Sequence, residues 1–245
     1  MDTGDTAYVL VSAALVMLMI PGLAFFYSGM VRPKKVLASA LQCFFALAIV
    51  SVLWVFLVFR LAFGTDINGL IGGLDFAWFN NVGQAPNAEF AATIPFLAFA
   101  VFQLFFAAIT PALITGAFAE RMKYSAMMLF SGLWVLLVYV PTAHWVWGGG
   151  FMGEGGVLDY AGGTVVHINA GVAGLVAAIV LGKRIGYGKE AMPPHNMALT
   201  LMGAAMLWVG WFGFNAGSAV AADASAGMAM AVTQIAAAAA ALTWL

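Results

Sequence analysis

The chain has 245 residues, 64% of them hydrophobic and only 8% charged, and its 9 basic and 10 acidic side chains leave a formal net charge of −1. That composition excludes a soluble globular domain, for which roughly 45–50% apolar residues is ordinary, and the balanced charge gives no sign of a nucleic-acid partner. With Cys43 the single cysteine, an intramolecular disulfide is excluded.

A membrane-crossing helix needs about 20 apolar residues. Apolar runs of that length predict seven spans, at about 7–31, 37–63, 90–118, 124–145, 160–182, 196–219 and 225–245, making residues 1–245 one all-α transmembrane domain. Ahead of the first, MDTGDT has no basic leader, and the first run is too long for a secretory signal. Arg32, Lys34 and Lys35 follow it, and Arg60 sits near the far end of the second span, where a long side chain can snorkel to the interface. No role is assigned to Arg60. The segment GTDINGLIGGLDFAWFNNVGQAPNAE reads as an ordered surface loop whose Phe76, Trp78 and Phe79 suit an interface.

The third span places Phe102 and Phe106 four residues apart, and Arg121 and Lys123 come after it. Pro21, Pro95, Pro111 and Pro141 fall inside or at the ends of spans, where they bend helices. Between the fourth and fifth spans, HWVWGGGFMGEGGVLDY combines tryptophans with glycines that allow close backbone packing at the outer mouth. His167 then lies in the fifth span, a titratable ring in an apolar run. Lys183, Arg184 and Lys189 follow, with His195 in the same loop. In the sixth span Gly210, Gly213 and Gly217 offer a small-residue face, while Trp211, Phe214 and Ser218 recur at helical spacing. Neither His144 nor His195 has the spacing of a metal site, and no metal or cofactor is expected.

Lysine and arginine thus occupy alternate loops, the mark of the cytoplasmic side, so the N-terminus is expected outside in a multi-pass cell (inner) membrane protein. Gly22, Phe26 and Gly29 in the first span have the same spacing as Gly210, Phe214 and Gly217 in the sixth. Five steps along the chain reverse the direction of crossing, so the match suggests an inverted repeat five spans long. Two such units need ten spans, and the chain ends in the seventh with AAAAALTWL and no basic flank. It reads as the front part of a longer protein.

The stretches PGLAFFYSGMV, AFAERMKYS, AHWVWGGG, LDYAGGTVVHINAG, GKRIGYGKEAMPPHN and GWFGFNAGSA resemble the ammonium transporter family over essentially the whole chain. The resemblance implies an eleven-span fold with a five-plus-five inverted repeat, assembled as a homotrimer with one pore per subunit. It implies an outer ammonium-recruiting site at Phe106, Trp147 and Ser218 with Phe102 close by, and a gate of two stacked rings, Phe106 and Phe214. Below the gate His167 would line a narrow apolar conduit with Trp211 nearby, paired with a second histidine from a tenth span. Asp159 matches a family aspartate, and its place before the fifth span favours a structural, helix-capping role. A regulatory protein of the PII class is the implied cytoplasmic partner, meeting AERMKYS and GKRIGYGKEAMPPHN.

Such a pore separates ammonium from potassium because ammonium can donate hydrogen bonds, be held by aromatic faces and lose a proton to cross as ammonia. A charged ion in an apolar conduit incurs a heavy desolvation cost. The expected protein is a transporter and not an enzyme. A retinal protein would need a lysine within a span, and a Ser218–His167 hydrolase lacks the surrounding motifs. An ammonium sensor on the same fold is the remaining alternative.

Overall fold

The computed structural model describes residues 1–244; Leu245, the end of the seventh predicted span, lies outside the described residues. Seven helices are long and apolar enough to cross a membrane: α1 (Thr3–Met30), α2 (Pro33–Phe63), α3 (Phe96–Phe118), α4 (Tyr124–Glu154), α5 (Gly163–Leu181), α6 (Met197–Ala219) and α7 (Ala224–Trp244). The bundle is centred on α3, whose Phe96, Phe99, Phe102, Phe106 and Ile109 are buried. By contrast α5 and α7 leave one flank open, with Val172, Leu175, Ile179, Met228, Val232 and Ile235 exposed.

Helix ends follow local chemistry more closely than they follow hydropathy. α1 starts at Thr3 because the Asp2 carboxylate accepts the Asp5 N–H at 2.9 Å. The third helix begins at Phe96, six residues inside the predicted run of 90–118, because residues 90–95 serve the preceding loop instead. There Ala91 pairs with Asn87, the Thr93 carbonyl accepts the Asp2 N–H at 2.7 Å, and the Phe90 ring stacks on Phe96 and Phe99. Pro95 then sits at the N-terminal boundary, where its missing N–H costs nothing. α4 continues past 145 to Trp147, breaks at the glycine run and adds a short turn, Phe151–Glu154.

The glycines of the internal repeat form one seam. α1 and α6 run antiparallel, and a Cβ added at Gly22 would lie 2.9 Å from Met206 Cβ, while one at Gly217 would lie 2.5 Å from Ser12 Cβ. Gly22 and Gly29 pack on the 196–207 stretch of α6, and Gly210, Gly213 and Gly217 on the 12–19 stretch of α1, so each copy of the spacing lets the two backbones approach closely at its own level of the seam.

On the face carrying the residue 64–95 segment, two short strands, β1 (Asp66–Ile67) and β2 (Ile71–Gly72), pair antiparallel through a turn at Asn68 and Gly69, both at positive φ. A buried histidine holds this hairpin to α4. His144 Nδ1 meets the Ala62 carbonyl at 3.0 Å and Nε2 meets Asp66 Oδ1 at 2.8 Å. A carbonyl can only accept, so Nδ1 carries a proton. Hydrogen bonding to this ring, with the Gly69 N–H, holds the Asp66 carboxyl below its usual range. Of the three loop aromatics, Phe76 and Phe79 pack inward on Phe59, while Trp78 lies exposed against Phe56. At the opposite end Arg32 clasps Glu120, its backbone N–H and Nε each donating to the carboxylate at 2.8 Å.

Candidate functional site

The path suggested by the sequence begins at the mouth of a cavity of about 200 Å³ lined by Phe106, Trp147, Asp159 and Ser218. Trp147 ends α4, and its indole N–H donates to the Asp159 carbonyl at 2.8 Å, which fixes the ring. Ser218, in the last turn of α6, donates its hydroxyl proton to the Phe214 carbonyl at 2.8 Å. Its lone pairs remain free to accept from a donor in the cavity.

Phe106 forms part of the cavity wall, with a second ring behind it. Phe106 from α3 and Phe214 from α6 stack with centroids 4.1 Å apart and 25° between planes, both buried. Trp147 meets Phe106 edge-on at 6.1 Å, so the indole belongs to the same aromatic group. Phe102 does not line the cavity. It is buried at 4.9 Å from Phe106, against the Gly217 seam, and packs behind the Phe106 ring. Gln103 lines the cavity in its place.

Beyond the stack, Phe214 lies 5.6 Å from the His167 ring. His167 and Trp211 line a second cavity of about 610 Å³ with Asp159, Asn215, Met228 and Thr233. Where the sequence suggests a narrow conduit, this space is broad and His167 is exposed. His144 and His195 have hydrogen-bond partners, the Ala62 carbonyl and Asp66 for one and the Val31 carbonyl for the other. Among the described residues the His167 ring nitrogens have none, so they face the cavity free.

The backbone beneath His167 explains its position. Residues Gly163–Ile168 form a π-helical turn, in which the His167 N–H donates to the Gly162 carbonyl five residues back at 2.9 Å. The unpaired N–H groups at its start converge on Asp159: Gly162 and Gly163 donate to Oδ1 at 2.6 and 2.8 Å, Thr164 and Val165 to Oδ2 at 2.8 and 2.9 Å. With two N–H groups on each oxygen, the carboxylate is engaged as a cap.

Sequence reasoning missed Gln103 and Glu89, both on the Trp147–Ser218 cavity, and Asn215, whose amide donates to Thr233 Oγ1 at 2.9 Å beside the His167 cavity. A lone amide inside an aromatic span was the available signal for Gln103. Nothing in the sequence marks Glu89. Among the described residues no group of His, Cys, Asp or Glu could hold a metal ion.

Seven helices long and apolar enough to cross a membrane, with a cavity against one ring of a stacked pair and a histidine beside the other, define a polytopic membrane protein. The chain belongs to the Ammonium Transporter Family, whose model matches residues 7–245. It is 52% identical to the ammonium transporter of Bacillus subtilis (strain 168) over 245 residues, covering all of this chain and 60% of that one. The crystal structure of Candida albicans Mep2 superposes with a TM-score of 0.91 at 35% identity, over 100% of this chain and 54% of Mep2. A solved "Sensor Amt Protein" gives 0.90 at 31% identity, over 98% of this chain and 60% of that one. The fold is therefore that of the ammonium transporters, of which seven helices are present. The chain spans about 60% of the length of the Bacillus relative.

Proposed function

We propose that this chain forms the outer site, gate and first histidine of a selective ammonium-conducting pore. The supporting observation is the Phe106–Phe214 stack at 4.1 Å, with Phe106 on the cavity of Trp147 and Ser218 and Phe214 5.6 Å from the His167 ring. Ammonium enters the outer cavity, where the aromatic faces of Phe106 and Trp147 attract a cation and the Ser218 oxygen accepts one N–H. No space for a hydrated ion exists between rings in van der Waals contact. Ammonium divides into ammonia and a proton; the neutral molecule slips past the rings, and the proton travels separately with His167 as relay. Potassium has no neutral form and stays out.

The broad inner cavity becomes a narrow conduit once further spans close the open flank of α5 and α7, bringing the second histidine. In the assembled protein we expect a homotrimer in the cell (inner) membrane with its N-terminus outside, and a cytoplasmic surface at AERMKYS and GKRIGYGKEAMPPHN that suits a PII-type regulator. The relatives that match over the whole chain are named ammonium transporters, which favours transport over sensing.

The test is selective current in proteoliposomes holding the full-length protein. Wild type should pass ammonium and exclude potassium, and His167→Ala should abolish the selective current. Equal permeation of the two cations by wild type would reject the proposal.

A further inference from the structure

We infer that Glu89 and Gln103 form the cation-concentrating half of the outer cavity, Glu89 as a fixed negative charge at its rim and Gln103 as a carbonyl acceptor within it; this deepens, and rests on, the ammonium reading above. Both line the cavity with Trp147 and Ser218. Glu154 is likewise unpaired among the described residues but does not line the cavity, and the other acids at this end of the bundle are committed elsewhere. Asp159 is saturated by four N–H groups, Asp66 is paired with His144, Asp75 accepts the Thr65 N–H, and Asp223 accepts from Ser225 and Ala226. The Glu89 carboxylate has no hydrogen bond or ion pair among the described residues, and its residue is exposed.

Glu89 is nonetheless held in place. Asn87 Oδ1 accepts the N–H groups of Glu89 and Phe90 at 2.9 and 3.0 Å, and Asn87 also pairs with Ala91. The chain thus presents the carboxylate on a local turn and not on a free tail. Gln103 Oε1 is buried with no partner among the described residues. A buried, unpaired carbonyl is unfavourable until a donor arrives, and a cation with four N–H donors is such a donor. The remaining walls include Phe63, Phe90, Phe99, Phe106 and Trp147. Their faces attract a cation but carry no net charge, so Glu89 supplies the attraction that acts at a distance, and Gln103 with Ser218 the short-range acceptors.

The two parts separate by salt. In full-length protein in proteoliposomes, Glu89→Gln should raise the apparent KM for ammonium about two- to fivefold at low ionic strength, the size of an exposed charge interaction. The difference should vanish at about 1 M salt, where the Debye length is roughly 3 Å. Glu89→Asp should restore the wild-type value. Gln103→Leu should raise KM at every ionic strength. If wild type carries ammonium but Glu89→Gln matches it at low salt, the role of Glu89 is overturned and the ammonium reading stands. If Gln103→Leu matches wild type, the acceptor role is overturned in the same way. A wild-type protein that moves no ammonium overturns both the inference and the reading beneath it.

Discussion

Trp147 and Asp159 are joined twice over, once through the indole N–H on the Asp159 carbonyl at 2.8 Å and once through the cavity wall they share. The side chain of Asp159 points the other way, into the first turn of α5, where four backbone N–H groups converge on it. One residue therefore anchors the outer indole by its main chain and sets the turn carrying His167 by its carboxylate. Asp159→Ala should lower stability by about 1–3 kcal/mol, because partly buried N–H groups lose a charged acceptor, with Asp159→Asn between the two. Thermal unfolding in detergent measures this. A variant of wild-type stability that no longer binds ammonium would make Asp159 a ligand.

The stacked rings make a separate prediction. Phe214→Ala removes one member of the pair and opens a passage between the outer cavity and the His167 cavity. Because Phe214 is fully buried, its truncation should also cost about 3–5 kcal/mol of stability, so the flux is read on protein shown by thermal unfolding to remain folded. The effect on function should be large: ions that wild type excludes should leak, read as potassium flux into proteoliposomes. A potassium-tight Phe214→Ala protein would place the selectivity barrier elsewhere.

The α1–α6 seam predicts that bulk is penalised where the repeat places glycine. At Gly217 an added Cβ already falls 2.5 Å from Ser12 Cβ and 3.1 Å from the Phe102 ring. Gly217→Val must push α6 away from α1 and α3, at about 1–3 kcal/mol for overpacking, and Phe214 moves with its helix. A lower unfolding temperature together with weaker selectivity is the expected pair of results. Gly227, which has open space around it, should accept alanine with neither change.

Hydropathy alone made the seven helices legible, because a lipid-facing helix cannot be written without a long apolar run. It misjudged the start of α3, since Phe90 and Ile94 are equally apolar but pack beneath an outer loop. The grouping of Phe106, Phe214, Trp147, Ser218 and His167 came from resemblance, and no spacing rule brings residues from α3, α4, α5 and α6 together. Three features had no readable signal. The π turns at Trp54–Val58, Val135–Tyr139 and Gly163–Ile168 depend on hydrogen bonds one residue longer than those of an α-helix, and hydropathy does not register that step. The saturation of Asp159 depends on the turn that it caps. The exposed face of His167 depends on what else stands beside α5.

Arg32 and Glu120 predict how the segments following α1 and α3 respond to acid. Burial alone would raise the Glu120 pKa, but the backbone N–H and guanidinium of Arg32 outweigh it and hold the carboxyl below the usual range. Glu120 in turn raises the pKa of Arg32, so both groups stay charged at neutral pH. A carboxyl whose pKa is depressed in the folded state stabilises that state above its unfolded value of about 4.3, and the contribution is lost as pH falls through the folded value. Unfolding temperature should accordingly drop as pH goes below about 4 in wild type. Glu120→Gln should start lower at neutral pH, by about 1.5–3 kcal/mol for the lost charged hydrogen bonds, toward the lower end because Arg32 is partly solvated. It should also show a shallower fall on acidification, since the group that titrates is gone. Parallel acid profiles for the two proteins would show that the Arg32 clasp carries none of the pH dependence.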